Sequence, residues 1–403
     1  MKVKLMAGSK KVYIIGSKGV PAKYGGFETF IDQLISGRKA DIQYIVTGMG
    51  NENKEYDYKG ARCVQFVTAE SAVARMLHTF RALRFVNKDA SKDADPKVVY
   101  ILGCRAGIFL PFYRWSLKRR GVEIFVNPDG AEWKRAKWNP VAKIIVLIFE
   151  WLLVKFADLV ISDSLAIKDI MKNEFHVPEE KLAFAAYGSE IYEAPKVLPK
   201  KLATSYKQWA GEHDILEKPY FLMVGRFVPE NNYELVIREF MASDLGANLV
   251  VISNISDGNL KTLLYEDLKV DTDSRIKLVG TLYDQDVLKV VRSKAVAYIH
   301  GHEVGGTNPS LLEALGSTDV SLVYDVSFNR EVAIDAAYYF TNETGSLAAE
   351  ASKVLKLSSA KRTKLGERAK NRIKTAYSWP MIINDYELLF REGKIQHSRE
   401  ADS

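Results

Sequence analysis

Four short stretches hold residues whose types and spacing could do chemistry. In YIHGHEVGGTNPSLLEALG (298–316) an apolar run ends at His300, a glycine loop follows, and NPSLLEAL opens a helix. Asn308 suits the N-cap and Pro309 the first helical position. The amides of Gly306, Thr307 and Asn308, with Gly305 ahead of them, would then be donors at a positive helix end, a setting that favours a diphosphate. Glu313, just over one turn into that helix, could accept bonds from ribose hydroxyls. In VGRFVPENNYELVIREF (224–240), Arg226 lies just past a strand end and offers phosphate oxygens a bidentate cation. FVNPDGAEWKRAKW (125–138) ends a strand at Asp129, a candidate base or hydroxyl-orienting group. Beyond it lie Glu132, Trp133, Lys134, Arg135, Lys137 and Trp138, of which the aromatic and basic ones could grip a sugar face and a phosphate. KVYIIGSKGVPAKYGGFETFIDQL (11–34) passes from an apolar strand through glycines to a helix, where Gly25 and Gly26 let a ligand approach the backbone closely.

Several other chemistries fit poorly. Gly16, Gly19, Gly25 and Gly26 do not form the compact G-x-G-x-x-G turn, and Glu28 places negative charge where a pyrophosphate would sit, which disfavours a nicotinamide enzyme. DTD (271–273) has the form of a metal-holding acid pair but precedes a strand, so it reads as a solvated loop at the wrong sheet end. His300 and His302 with Glu303 lack an evident third ligand, and no metal is expected. Nothing matches a nucleic-acid-binding motif, so nucleic acid is not expected as a partner.

These residues need strands and helices to position them. The first half alternates strand-like runs (11–17, 42–48, 61–68, 97–104, 123–129, 159–164, 181–188) with helix-like ones (26–38, 71–89, 107–121, 140–157, 164–175). The second repeats the pattern, with strands at 220–227, 247–254, 275–280, 295–301 and 319–325, and helices near 232–243, 257–268, 284–294 and 309–317, with more helix over 346–377. Short apolar strands between helices imply parallel sheets covered on both faces. Residues 189–209, with two prolines and several lysines, read as a linker. The expectation is an α/β chain of two Rossmann-like doubly wound domains facing each other across a cleft: 1–200, completed by a helix over 378–403, and 201–377.

At 403 residues, 47% apolar and 27% charged, the chain suits two soluble globular domains. Two cysteines exclude a disulfide framework and fit a reducing cytoplasm. No charged-then-apolar leader precedes Lys11. Residues 1–200 hold 32 Lys and Arg against 22 Asp and Glu, a balance of +10, while residues 201–403 hold 25 against 28, or −3. A basic first half points to an anionic partner, with 71–85 and 112–121 as basic, partly amphipathic stretches that could dock on an anionic bilayer. VAKIIVLIFEWLLVKFADLV (141–160) carries too many ionisable groups to span a membrane and reads as a helix buried in the first domain.

Together, GSKGVPAKYGGFETF, NPDGAEWKRAKW, VGRFVPENNYE and HGHEVGGTNPSLLEAL resemble the bacterial β-1,4-rhamnosyltransferases of capsule and rhamnose-polysaccharide synthesis, which belong to the retaining GT-B glycosyltransferases of family 4. The likeness runs from about Lys11 to Phe390. It implies a metal-independent enzyme, peripheral to the inner face of the cell membrane, that moves L-rhamnose from a dTDP donor to the 4-hydroxyl of a glucose or N-acetylglucosamine on undecaprenyl diphosphate. It further implies that Gly25 and Gly26 lie near the donor diphosphate and acceptor. Arg226 would bind the diphosphate and Glu313 the ribose, with Gly305, Gly306, Thr307 and Asn308 around the donor sugar and phosphates. Asp129 and Glu303 would be the catalytic carboxylates, and Glu132, Trp133, Lys134 and Arg135 would meet the acceptor. Residues 379–390 would return to the first domain. Three positions depart from the family pattern. Asn231 replaces a lysine five residues after Arg226, the acid before Glu313 is Glu303 rather than residue 305, and Asp129 stands where many relatives have histidine. A UDP-hexose donor is the alternative within the family. Outside it stand a nucleotide-binding adaptor and an NAD-dependent oxidoreductase.

Overall fold

The computed structural model describes residues 10–22, 25–39, 41–135, 138–255 and 258–394. It divides into two units, residues 1–188 with 379–403, and residues 189–378.

The first unit is built on eight strands: β1 (Lys10–Ile15), β2 (Ile42–Gly50), β3 (Lys54–Tyr58), β4 (Ala61–Val67), β5 (Lys97–Leu102), β6 (Val122–Asn127), β7 (Leu159–Ser162) and β8 (Leu182–Phe184). Their order is β3-β4-β2-β1-β5-β6-β7-β8, and every pairing is parallel except β3 with β4. The helices are α1 (Gly26–Ser36), α2 (Ala72–Asp89), α3 (Leu110–Arg119), α4 (Pro140–Phe156) and α5 (Leu165–Asn173). Side-chain caps start three of them: Ser71 accepts from the Ala74 amide, Asn139 from Ala142 and Ser164 from Ile167.

Because successive strand residues face opposite ways, Tyr13, Ile15, Val99, Ile101, Ile124 and Val126 form one core with the inward residues of α2 to α5. On the other sheet face, Tyr44, Tyr100 and Phe125 meet Phe30 of α1 and the final helix, Trp379–Glu392. Its Tyr386 ring lies 4.6 Å from Phe30, and its hydroxyl donates to the Ala185 carbonyl at 2.8 Å. Each such buried aromatic contributes roughly 1.5–3 kcal/mol, which holds the end of the chain on the first sheet.

The second unit carries β9 (Tyr220–Val224), β10 (Asn248–Ile252), β11 (Ile276–Gly280), β12 (Ala297–His300), β13 (Ser321–Tyr324) and β14 (Tyr338–Phe340) in the order β11-β10-β9-β12-β13-β14, all parallel. Its helices are α6 (Lys200–Glu212), α7 (Tyr233–Met241), α8 (Gly258–Lys261), α9 (Gln285–Lys294), α10 (Pro309–Ser317), α11 (Ser327–Ala333), α12 (Ser346–Leu355) and α13 (Ser359–Ala376). Two cores, one on each sheet face, sandwich the strands.

Three expectations need correction. The supposed linker 189–209 is in part α6, whose Tyr206 and Ala210 are buried against the sheet with Leu202 and Trp209 alongside; the intervening lysines masked that apolar stripe. The edge strand β3 was missed because KEYDY is polar; it pairs back on β4 through Lys59 and Gly60, both at positive φ, as a two-residue hairpin requires. The largest departure is α4. Only Glu150, Leu153 and Val154 are buried, while Val141, Ile144, Ile145, Leu147, Ile148 and Trp151 are exposed. An apolar run shows that a helix has greasy faces, but whether another element covers each face is a tertiary matter.

Candidate functional site

In the second unit, β9 and β12 are neighbours in a parallel sheet, so the loops leaving their carboxyl ends lie side by side. A chain of polar contacts joins them. The Asn231 side chain donates to the Arg226 carbonyl at 2.7 Å, and its oxygen meets Nδ1 of His302 at 2.7 Å. Asn232, left-handed at φ 52°, donates at 2.9 Å to both the Gly301 carbonyl and Glu303 Oε2. The Glu303 amide donates to the Glu230 carbonyl at 2.9 Å. Gly301 permits this approach, since a Cβ there would run into the Asn231 carbonyl. Asn231, at the position where the resembled family has a lysine, thus ties the two loops together.

The start of α10 is pinned to the same place. The Ser310 and Tyr298 hydroxyls each donate to the Val224 carbonyl, at 2.9 and 3.0 Å. Asn308 caps the helix by accepting from the Ser310 amide at 2.9 Å, and its carbonyl accepts from Leu311 and Leu312. The first helical turn is therefore served by Asn308 itself and by Pro309, which has no N–H. The loop before it holds Gly305, Gly306 and Thr307; Gly305 has φ 133°, open to glycine and strained for other residues. Arg226 is exposed, and among the described residues its guanidinium makes no ion pair. Glu313 is paired with Arg292, a buried guanidinium that fixes the direction of its carboxylate. Burial holds the His300 imidazole well below its usual range, hence neutral, and its ring centre is 6.0 Å from that of His302. Among the described residues no group of three His, Cys, Asp or Glu is arranged to hold a metal ion. Asp273 of the DTD stretch pairs with Arg275, whose guanidinium also donates to the carbonyls of Ser243 and Leu245.

In the first unit, β1, β5 and β6 are adjacent, and their carboxyl ends carry the glycine loop, Arg105 and Asp129. Gly25 has φ 127°, and a Cβ there would collide with the Glu28 carboxylate. That carboxylate is buried and accepts from the Lys18 amide at 2.7 Å, so the positive end of α1 already has an anion of its own. Gly26 is the first residue of α1. Asp129, Gly130 and Ala131 all have positive φ, and the Asp129 amide donates to Asn127 Oδ1 at 2.9 Å. Two non-glycine exceptions of this kind within three residues, at about 1 kcal/mol or more each, persist where the surroundings over-determine them. Next in line, Glu132 pairs with Arg135 at 2.8 Å and accepts from Trp138 Nε1 at 3.3 Å. Lys134 pairs with Glu174 at 3.0 Å and stands over the Trp133 ring, which packs on the core. The structure thus joins Glu132 and Arg135 to each other and gives Lys134 and Trp133 partners within the unit. Lys137 lies outside the described residues.

Arg105 was overlooked in the sequence. It follows β5 in LGCRAG and donates to the Gly16 carbonyl at 3.1 Å, placing a cation against the glycine loop. The signal was a glycine and a cation just past a strand end, the pattern that drew attention to Arg226.

Residues 206–372 match the family model described as glycosyl transferases group 1, and residues 9–190 match one described as a domain of unknown function, DUF1972. No curated protein matches the chain in sequence. Solved structures match over both units. Sucrose-phosphate synthase from Thermosynechococcus elongatus aligns at 14% identity with TM-score 0.74, over 95% of this chain and 98% of that one. A glycosyltransferase from Rickettsia africae aligns at 12% with TM-score 0.71, over 96% and 99%. Anabaena HepE in complex with UDP aligns at 11% with TM-score 0.68, over 95% and 99%. The fold is GT-B, with two parallel-sheet α/β domains.

Proposed function

We propose that this chain, a GT-B protein whose second unit is a group 1 glycosyl transferase domain, transfers L-rhamnose from dTDP-β-L-rhamnose to the 4-hydroxyl of a glucose or N-acetylglucosamine carried on undecaprenyl diphosphate. The observation that carries the reading is the joined pair of loops in the second unit. Arg226 is exposed, its carbonyl is tied through Asn231 to His302 in the loop that leads to Gly305, Gly306 and the capped helix, and Glu303 is held by Asn232. The choice of rhamnose and dTDP rests on the four-motif resemblance.

In the proposed reaction the bond from the anomeric carbon to the diphosphate oxygen breaks, while Arg226 and the loop amides take up the charge growing on the leaving group. The acceptor hydroxyl attacks from the same face and passes its proton to the departing phosphate, so configuration is retained. Asp129 orients that hydroxyl, and Glu303 contacts the donor sugar. Glu313, held by Arg292, receives the ribose hydroxyls. A guanidinium and amide dipoles neutralise the leaving group, so the scheme uses no divalent ion. Turnover is expected to survive EDTA.

The test is calorimetric titration with dTDP, UDP and NAD, then turnover of dTDP-rhamnose with lipid-linked glucose or N-acetylglucosamine. Binding of dTDP with transfer to one acceptor supports the reading. Preference for UDP favours a UDP-hexose donor, the second reading, to which the UDP in the HepE structure lends support. Binding of neither nucleotide would remove the role given to Arg226 and the glycine loop.

A further inference from the structure

Among the described residues, seventeen large apolar side chains are exposed, and ten of them lie on α2, α3 and α4. These helices cover the same face of the first sheet, share one core beneath, and α3 touches both neighbours. Their outward sides therefore form one surface. On α4, Val141, Ile144, Ile145, Leu147, Ile148 and Trp151 are 37–67% exposed, at spacings of three and four that make a stripe along the helix. On α3, Phe112 is 80% and Trp115 68% exposed, and α2 adds Val73 and Leu77. An exposed apolar surface this concentrated is unusual for a solvated face.

Its charge says what covers it. The only acids within the three helices are Asp89 and Glu150, and both are buried. Arg81, Arg84, Lys88, Lys118, Arg119 and Lys155 are exposed there. Two of the cations sit on the exposed tryptophans, with the Arg119 guanidinium 4.5 Å from the Trp115 ring centre and the Lys155 ammonium 4.2 Å from that of Trp151. Aromatic rings with cations beside an aliphatic stripe match the boundary between acyl chains and headgroups. A second copy of this chain would bring like charge against like charge.

We propose that the outer side of α4, with the exposed tips of α2 and α3, docks on an anionic lipid bilayer, with α4 lying in the plane of the interface. No helix among the described residues is long and apolar enough to cross a membrane. The buried Glu150, Leu153 and Val154 fix the rotation of α4, which turns the aliphatic stripe outward. Docking was expected through 71–85 and 112–121; the apolar part comes from the helix expected to be buried. The inference stands on the first unit alone and holds whichever sugar is transferred.

The test is co-sedimentation of the full chain with vesicles of phosphatidylglycerol and phosphatidylethanolamine, against vesicles of phosphatidylcholine alone, without nucleotide or acceptor. Trp151 and Trp115 emission is expected to shift to the blue on the anionic vesicles only. The double variant Ile144→Ser, Ile148→Ser should bind at least tenfold more weakly, as should Arg119→Glu with Lys155→Glu. Tyr283→Ser, an exposed position in the second unit, should bind as the parent does. The substituted residues are exposed, so the variants should keep the parent's circular dichroism and dTDP affinity, which separates loss of docking from loss of the proposed transfer. Equal binding by parent and variants, no binding of the folded parent to anionic vesicles, or a concentration-dependent dimer that the serine variant abolishes would each overturn the proposal.

Discussion

Glu150 offers a quantitative check on the packing of α4. Its carboxyl is fully buried, and neither oxygen has a hydrogen-bond partner among the described residues. Burial, reinforced by the negative charges of Asp129 and Glu132, pushes its pKa up to about 8 from an ordinary 4.5. The folded chain therefore keeps a proton that the unfolded chain releases above 4.5, and stability falls as pH rises from there towards 8. Below 4.5 both states are protonated and the penalty vanishes. Each pH unit within that window costs about 1.4 kcal/mol, which reaches on the order of 4–5 kcal/mol at its upper end. Glu150→Gln keeps the shape of the neutral acid and has no proton to lose. It should match the parent near pH 5 and exceed it progressively up to pH 8. The assay is denaturant unfolding at several pH values in a Trp209→Phe background, in which every remaining tryptophan lies in the first unit. A difference between variant and parent that stays constant with pH would refute the reasoning, because it would mean that the carboxylate is ionised and solvated where it lies.

Other residues give sharper functional readouts. Arg226→Ala should weaken dTDP binding by about tenfold to a hundredfold, the scale of a charge-assisted hydrogen bond, with no change in unfolding midpoint since the side chain is exposed; calorimetry and denaturation together check this. Asn232→Gly retains the left-handed backbone but loses both contacts, to Gly301 and Glu303, so turnover should fall further than stability; a fall in stability alone would limit Asn232 to a structural role. Glu313→Ala should weaken dTDP binding and, by leaving the buried Arg292 without its partner, lower the stability of the second unit by about 3 kcal/mol; unchanged dTDP affinity would remove the ribose assignment. Tyr386→Ala should destabilise the first unit by about 3–5 kcal/mol, as expected when a buried aromatic is removed, measured by the same tryptophan signal.

Features that depend on a few neighbouring residues were legible along the chain. Strand-like apolar runs alternating with helices were enough for two parallel-sheet α/β halves. The N-cap at Asn308 and Pro309 was legible because a cap bonds to an amide only two residues away. So was the place of Arg226, because a strand end, a glycine and a cation are consecutive. Tertiary structure alone decided what depends on residues far apart in the chain. Nothing local to Glu313 announces Arg292, nothing near Asn232 announces Glu303, and Lys134 finds Glu174 only because α5 ends close to the loop after β6. The helix 140–156 shows the division most clearly: its sequence specifies an apolar helix with a buried acid, but which side meets the sheet and which is left uncovered was set by the packing of α3 and the loops after β5 and β6. Hydrophobicity is a property of a side chain, whereas burial is a property of its neighbours, and those neighbours come together only when the sheet has formed.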